Sequence, residues 1–177
     1  MYQCEKGKKP EFIKSVFDTC AMTQTVIFVN SVDFAERLHA MMRKAAFKSV
    51  IIFGKMSKEE RDEMITMFRK GEISVIITTN MLARGIDVPE VQIVINFDVP
   101  ISSVDGKKCG DAENYLHRIG RTGRFGTKGL AITIFDRDID KDYLYEILDT
   151  YKMHDKCKQL DGPEQLASLL ESIRSEM

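Results

Sequence analysis

The sequence predicts an α/β fold: an open, mainly parallel sheet with helices on both faces, in three layers. Two observations predict it. Short β-branched runs alternate along the chain with longer amphipathic segments, which gives a βαβα order. The runs are also almost continuously apolar. Strict alternation would mark a sheet with one wet face, so these strands are expected to be covered on both sides.

After an opening MYQC segment, the pattern predicts a helix over 11–20 and a strand, TVIFV, over 25–29. A helix over 32–45 then leads to SVIIF at 49–53. Ser57-Lys58-Glu59-Glu60 is a capping box that opens a helix over 58–70. Met64, Ile65 and Phe68 lie on one side of that helix, and Gly71 follows Lys70 as its C-terminal stop. SVIIT (74–78) and VQIVINF (91–97) are strands, 113–121 is a helix, and LAITIF (130–135) is the last strand. Two more helices are placed at 138–152 and 163–175, on either side of Asp161-Gly162-Pro163, where Pro163 suits a first helical turn. No internal repeat or low-complexity tract interrupts this order.

With 177 residues, 44% hydrophobic and 30% charged, the chain has the size and balance of one globular domain with a full core. Lys and Arg number 26 against 27 Asp and Glu, a formal net charge of -1 that excludes a uniformly basic coat. Any polyanion must therefore be met by a focused patch. Cys4, Cys20, Cys109 and Cys157 form no C-x-x-C pair, which argues against a zinc site or disulfide framework and for a reducing compartment. No apolar run approaches the roughly 18 residues of a membrane span, and the N-terminus has no signal-peptide core. The expected location is the cytoplasm or nucleus.

In open α/β sheets, ligands bind outside the carboxyl ends of the strands. Three loops expected there are unusual: FVNS (28–31), TTNMLARGIDVPE (78–90) and the segment leading into HRIGRTGRFG (117–126). The last concentrates positive charge. On a helical turn His117 and Arg121 are i,i+4 and Arg121 and Arg124 are i,i+3, so they share a side and repel by up to about 0.5 kcal/mol per pair. A solvated basic face is the plainer alternative. Glycines at 120, 123 and 126 let another surface approach closely, however, and planar guanidinium forks suit phosphate oxygens, so phosphate contact is preferred. In the second loop Thr78, Thr79 and Asn80 precede Ala83-Arg84-Gly85-Ile86-Asp87. Hydroxyls and backbone N–H groups at a strand end can hold a phosphate, and Asp87 either accepts from ribose hydroxyls or pairs with Arg84. No P-loop is present: Gly54-Lys55-Met56-Ser57 lacks the upstream glycine. The chain by itself is not expected to grip a nucleotide tightly.

VIFVNS (26–31), ERDEMITMFRKG (60–71), TTNMLARGIDVPEV (78–91) and YLHRIGRTGRFG (115–126), in this order, resemble the C-terminal RecA-like domain of DEAD-box RNA helicases. The resemblance covers essentially the whole chain. It makes 1–177 a single helicase C-terminal RecA-like domain, separated from the N-terminal RecA-like lobe that carries the P-loop and the Asp-Glu-Ala-Asp motif. A narrower similarity lies in ISSVDGKKCGDAEN, a longer connector than usual between Asp98-Val99-Pro100 and Tyr115. With TTN in place of the commoner TTD, it resembles the mRNA-export helicases of the cytoplasmic face of the nuclear pore. Phe53 stands where His commonly precedes Gly54, a departure that sides with the export subfamily. Lys58 stands where Gln is common, which leaves that part of the RNA contact open.

The resemblance implies half of an ATP-dependent RNA helicase, inactive alone, with ATP and Mg²⁺ held mainly by the missing lobe. Arg121 and Arg124 match arginines that reach the γ-phosphate as fingers. His117 and Arg118 match positions that couple the lobes and brace the fingers, and Gly85 and Asp87 match ribose-side contacts. Thr79 and Arg61 match positions on the RNA backbone, with Gly54 and Asn30 as their neighbours. No metal ligand is expected in the chain. The implied partners are RNA, the N-terminal lobe and, for the export subfamily, a nuclear-pore activator with inositol hexakisphosphate; the protein is expected to be a monomer with no membrane contact. Two other classes stay open: a non-catalytic RNA-binding or partner-docking module on a RecA-like scaffold, and a DNA helicase of the wider superfamily.

Overall fold

The computed structural model describes residues 1–19, 24–79, 91–123 and 129–162, together with 165, 166, 168, 169, 171 and 172. The strands are β1 (Tyr2–Gln3), β2 (Thr25–Phe28), β3 (Ser49–Ile52), β4 (Val75–Thr78), β5 (Ile93–Asn96), β6 (Ile101–Val104), β7 (Lys107–Gly110) and β8 (Leu130–Phe135). The helices are α1 (Lys9–Thr19), α2 (Val32–Lys44), α3 (Lys58–Arg69), α4 (Ala112–Ile119) and α5 (Asp138–Thr150). Six strands form one sheet in the order β1-β8-β5-β2-β4-β3, and every pairing in it is parallel.

The register explains why the strand sequences are apolar throughout. Ile77, Ile27, Ile95 and Ile132 stand in one row across β4, β2, β5 and β8. That row packs under Phe12, Ile13 and Val16 of α1 and Ala35, Leu38 and Met42 of α2. One residue earlier, Ile76, Val26 and Val94 form a row on the opposite face, beneath Ile65 and Phe68 of α3. Farther along that face Phe135 and Tyr115 meet Leu144, Ile147 and Leu148 of α5. The chain steps outward through α2 to β3 and back through α3 to β4. Right-handed crossovers in opposite directions must cover opposite faces, which yields the three layers.

The helix starts follow their caps. Ser57 Oγ accepts from the Glu60 N–H at 3.1 Å, while the Ser57 N–H donates to Glu60 Oε2 at 2.8 Å. Just past α3, Gly71 takes a φ of 75°, a left-handed conformation that costs glycine little. The helix expected over 113–121 spans 112–119, and the first helix starts at Lys9 rather than at 11. In the last predicted helix, 163–175, the described residues 165, 166, 168, 169, 171 and 172 are helical.

Two features exceed the sequence reading. β1 is an edge strand of two residues, too short to carry any periodicity. The long connector 101–114 contains an antiparallel hairpin, β6–β7, closed by Asp105 (φ 51°) and Gly106 (φ 78°). Positive φ at both central residues is the type I′ turn for which Asp-Gly is the standard signal. The hairpin lies against α5: the Gly110 N–H donates to Glu146 Oε2 at 2.8 Å, and any side chain at Gly110 would collide with the Tyr143 carbonyl. No described helix is long and apolar enough to cross a membrane.

Phe68 has no exposed surface, so Phe68→Ala should lower unfolding free energy by about 3–5 kcal/mol in urea titrations. His39, with Nδ1 2.9 Å from Ser49 Oγ, titrates below the ordinary histidine value because of its burial and, secondarily, Arg43. The unfolded chain therefore takes up this proton first, and stability falls as pH drops through the histidine range, around 6.5. Melting temperatures recorded across that range should fall less steeply for His39→Phe.

Candidate functional site

The carboxyl ends of β2 and β5 are joined by a buried cation. Asp111 begins α4, its N–H bonded to the Pro100 carbonyl at 2.9 Å and its carboxylate accepting from the Asn114 N–H at 3.0 Å. This anchors the helix so that Tyr115 and Arg118, three residues apart, both face the sheet. Tyr115 Oη lies 3.2 Å from Thr133 Oγ1. Arg118 has no exposed surface. Its Nη1 donates to the Asp98 carbonyl at 2.7 Å and to Asn96 Oδ1 at 3.4 Å, and its Nη2 donates to Asn30 Oδ1 at 3.1 Å. The guanidinium carbon sits 5.1 Å from the centre of the Phe28 ring, within cation–π range. Burial pushes Arg118 down to about 10, against the pull of Asp98 and Asp111, so it remains charged at neutral pH.

Asn30 completes the network. Its backbone N–H donates to Asp98 Oδ2 and its Nδ2 to the Val99 carbonyl, both at 2.8 Å. Both ends of the Asn30 amide are thus engaged inside the lobe. Lys9 enters from the other side. Only 5% exposed, it donates to the Phe97 carbonyl at 3.0 Å and lies 3.6 Å from Asp98 Oδ1 and 3.4 Å from Asp136 Oδ1. Nothing in the sequence singled Lys9 out, because a lysine between a glycine-lysine pair and a proline reads as solvated chain.

Arg121 lies at the opposite edge. A helix returning from one parallel strand to the next runs antiparallel to both, and α4 covers about 12 Å, nearly the length of β5. Past Gly120 the chain reaches the amino end of β5, where the Val91 N–H donates to the Arg121 carbonyl at 3.0 Å. Thr122 pairs with Val91, and Thr122 Oγ1 donates to the Gln92 carbonyl at 3.1 Å. Gly129 packs so tightly here that a Cβ would collide with Thr122 and the Gly123 nitrogen. Arg121 is half-buried, its Nε donating to the His117 carbonyl at 3.3 Å. His117 is half-buried too, with Nδ1 enclosed and without a hydrogen-bond partner among the described residues.

The segment leading into 117–126 starts at the carboxyl end of β5, as expected, and α4 then carries the chain back toward the amino edge. Of that segment, His117 to Ile119 lie in the last turn of α4 and Arg121 and Thr122 reach the amino end of β5, while the Arg118 side chain is bonded back to the carboxyl end. The four residues expected on RNA stay at the carboxyl edge: Asn30 follows β2, Gly54 follows β3, Thr79 follows β4, and Arg61 lies in the first turns of α3. Thr79, Gly54 and Arg61 are partly exposed, and Asn30 is exposed although its amide is bonded within the lobe. Thr78 Oγ1 ties this edge together, donating to the Ile52 carbonyl at 2.7 Å and to the Thr79 carbonyl at 3.2 Å. Gly85, Asp87 and Arg124 lie outside the described residues. Among the described residues no three His, Cys, Asp or Glu side chains converge as a metal site.

The profile described as the helicase conserved C-terminal domain matches residues 8–126. The chain belongs to that family, in its DEAD-box branch. It is 45% identical over 139 residues to eukaryotic initiation factor 4A of Dictyostelium discoideum, an overlap covering 75% of this chain and 32% of that protein. The chain thus spans about a third of the length of the curated relatives it matches. Among solved structures, S. cerevisiae Dbp5 bound to RNA and ADP BeF3 superposes with a TM-score of 0.82 at 30% identity, covering 97% of this chain and 44% of that one. A variant S. cerevisiae Dbp5 C-terminal domain bound to a Gle1 variant and IP6 gives a TM-score of 0.80 at 29% identity, covering 98% and 96%. The six-stranded parallel sheet is the RecA-like fold of these domains.

Within this helicase domain Arg118, inside α4, and Arg121, just past its Gly120 cap, have different environments. Arg118→Met keeps apolar bulk but strips donors from Asn30, Asn96 and the Asp98 carbonyl. It should cost about 3 kcal/mol or more in urea unfolding, the penalty of breaking a buried charged network. Arg121→Met should stay within about 1 kcal/mol of the parent in the same titration.

Proposed function

We propose that this chain is the C-terminal lobe of an ATP-dependent DEAD-box RNA helicase, presenting Arg121 and Arg124 to the γ-phosphate of an ATP anchored on an N-terminal lobe. The observation that carries the proposal is the Val91 to Arg121 backbone bond. It joins the residue that follows the 78–90 segment to the first arginine of the pair. The likeness to Dbp5 with RNA and ADP BeF3, in which the fluoride stands in for a γ-phosphoryl group, supports this reading.

Arg121 and Arg124 act by electrostatics: fixed guanidinium groups stabilise charge developing on the transferred phosphoryl group, an effect of about 10³–10⁵ in rate. Arg118 and His117 serve them from behind, Arg118 by pinning α4 to β2 and β5. Mg²⁺ and the residues activating water belong to the other lobe, so the chain alone is inactive. At the carboxyl edge Thr79, Arg61 and Gly54 meet RNA phosphate and sugar, giving sequence-independent, salt-sensitive affinity. Asn30 serves this edge as a brace, its amide being engaged within the lobe. ATP and RNA each bridge two lobes and thereby favour one closed arrangement, which strips a strand locally.

The finer reading is a role in mRNA export, in the cytoplasm and nucleus and at the cytoplasmic face of the nuclear pore, as a monomer. The connector 101–114, with its hairpin, and the Dbp5 domain bound to Gle1 and IP6 support a pore activator with inositol hexakisphosphate as partner.

In the full-length protein, Arg121→Ala should lower RNA-stimulated ATP hydrolysis by about 10³-fold or more, with single-stranded DNA a poor substitute for RNA. Hydrolysis at the parent rate in Arg121→Ala would refute the finger assignment.

A further inference from the structure

We infer that Lys9 is a positioning residue for the arginine helix: its buried ammonium group fixes the 97–99 turn on which Arg118 and Asn30 are hung. The inference rests on the helicase reading for its consequence in catalysis, but its structural half stands on this chain alone.

The turn after β5 is a hub with three partners. The Asp98 carbonyl takes Arg118 Nη1 at 2.7 Å, the Val99 carbonyl takes Asn30 Nδ2 at 2.8 Å, and Asp98 Oδ2 takes the Asn30 N–H at 2.8 Å. A cation near the free oxygen of a carboxylate that accepts a backbone N–H through the other restrains its rotamer further. Lys9 is that cation, 3.6 Å from Oδ1. It also binds the carbonyl of the preceding residue, Phe97, at 3.0 Å and lies 5.3 Å from the centre of that ring. Carbonyls 97, 98 and 99 are thus all committed, the first to Lys9 and the other two to Arg118 and Asn30.

Lys9 is held in turn. It is the first residue of α1, its ammonium nearly sealed from solvent. A buried lysine is tolerated only when its charge is met, and Asp136 at 3.4 Å is the second carboxylate that meets it. Burial raises the Asp136 acid range, but the Gly7 N–H at 3.0 Å, followed by Lys9 and Arg137, brings it below the usual carboxylate value. Residues 7, 9, 98 and 136 therefore form one ionic knot, which connects the segment leading into α1 to the turn that carries Arg118. Arg121 lies three residues on, just past the Gly120 cap of that helix. A disturbance of residues 7–9 reaches the arginine pair through Lys9, Asp98 and Arg118.

The prediction concerns geometry rather than nucleotide grip, so its signature is a split between kcat and KM. A slight displacement of a catalytic group can cost on the order of 10²-fold in rate. In the full-length helicase, Lys9→Met should lower kcat for RNA-stimulated ATP hydrolysis by about 10-fold or more, with KM for ATP changed by less than about 2-fold. Lys9→Arg, which retains a cation, should recover most of the loss. In the 177-residue chain, amide exchange measured by NMR should show the Asn30 N–H exchanging at least about 10-fold faster in Lys9→Met. Should Lys9→Met fail to fold, Lys9→Gln keeps a donor for the Phe97 carbonyl and is read in the same way. Parent-like exchange at Asn30, a parent-like kcat, or a change confined to KM would each overturn the inference. A parent protein without RNA-stimulated hydrolysis would instead sink the helicase reading, and Asn30 exchange would still decide whether Lys9 positions the turn.

Discussion

A positive charge with no exposed surface must find its acceptors inside the protein, and Arg118 finds them on β2 and β5. The constraint is severe because desolvating a guanidinium costs several kcal/mol unless each donor is directed at an oxygen. Asn30, Asn96 and the Asp98 carbonyl supply those oxygens from the ends of two neighbouring strands, and Phe28 supplies the aromatic face beneath. Once they are satisfied, α4 can neither slide nor rotate over β5. Its C-terminal end, with His117, is then set by helix geometry, and Arg121 follows just past the Gly120 cap, bonded to Val91 at the far end of the strand.

That geometry divides the lobe between two edges of the sheet. Thr79, Gly54 and Arg61 stand at the carboxyl edge, and Arg121 lies at the amino edge, seamed to Val91. The separation accounts for a nearly neutral chain with a concentrated basic segment. One arginine is neutralised internally by dipoles and nearby carboxylates; the other is left partly exposed, at a place where close-packed Gly129 keeps the backbone thin. The conformational coupling proposed between ATP and RNA needs a rigid element running from one edge to the other. α4, locked by Arg118, is such an element.

Much of this was legible in the residues. Apolar runs such as VIFV and VIIT announced strands covered on both faces, because a two-residue period is suppressed where helices lie on both sides. Ser57 with Glu60, and Gly71 after Lys70, marked the ends of α3 as local chemistry usually does. Identity of the domain was carried by short motifs whose residue types are chemically unusual. What escaped were features decided by tertiary context. β1 is two residues whose strand character comes from pairing with β8. Arg118 and Arg121 look alike in HRIGRTGR, and only the sheet beneath α4 makes one a buried brace. The hairpin at Asp105-Gly106 was readable from its turn chemistry, although the connector was weighed for its length alone.

As proposed, this lobe closes on a phosphate it does not itself anchor, through arginines that follow a helix held to the sheet by Arg118. The most direct measurement is the affinity of the full-length protein for single-stranded RNA with ADP and with ADP BeF3, at fixed salt. The γ-phosphate mimic should tighten RNA binding by at least about 10-fold, and replacing Arg121 should abolish the gain while leaving affinity with ADP nearly unchanged. Equal RNA affinity with the two nucleotides, or an undiminished gain without Arg121, would contradict that proposal.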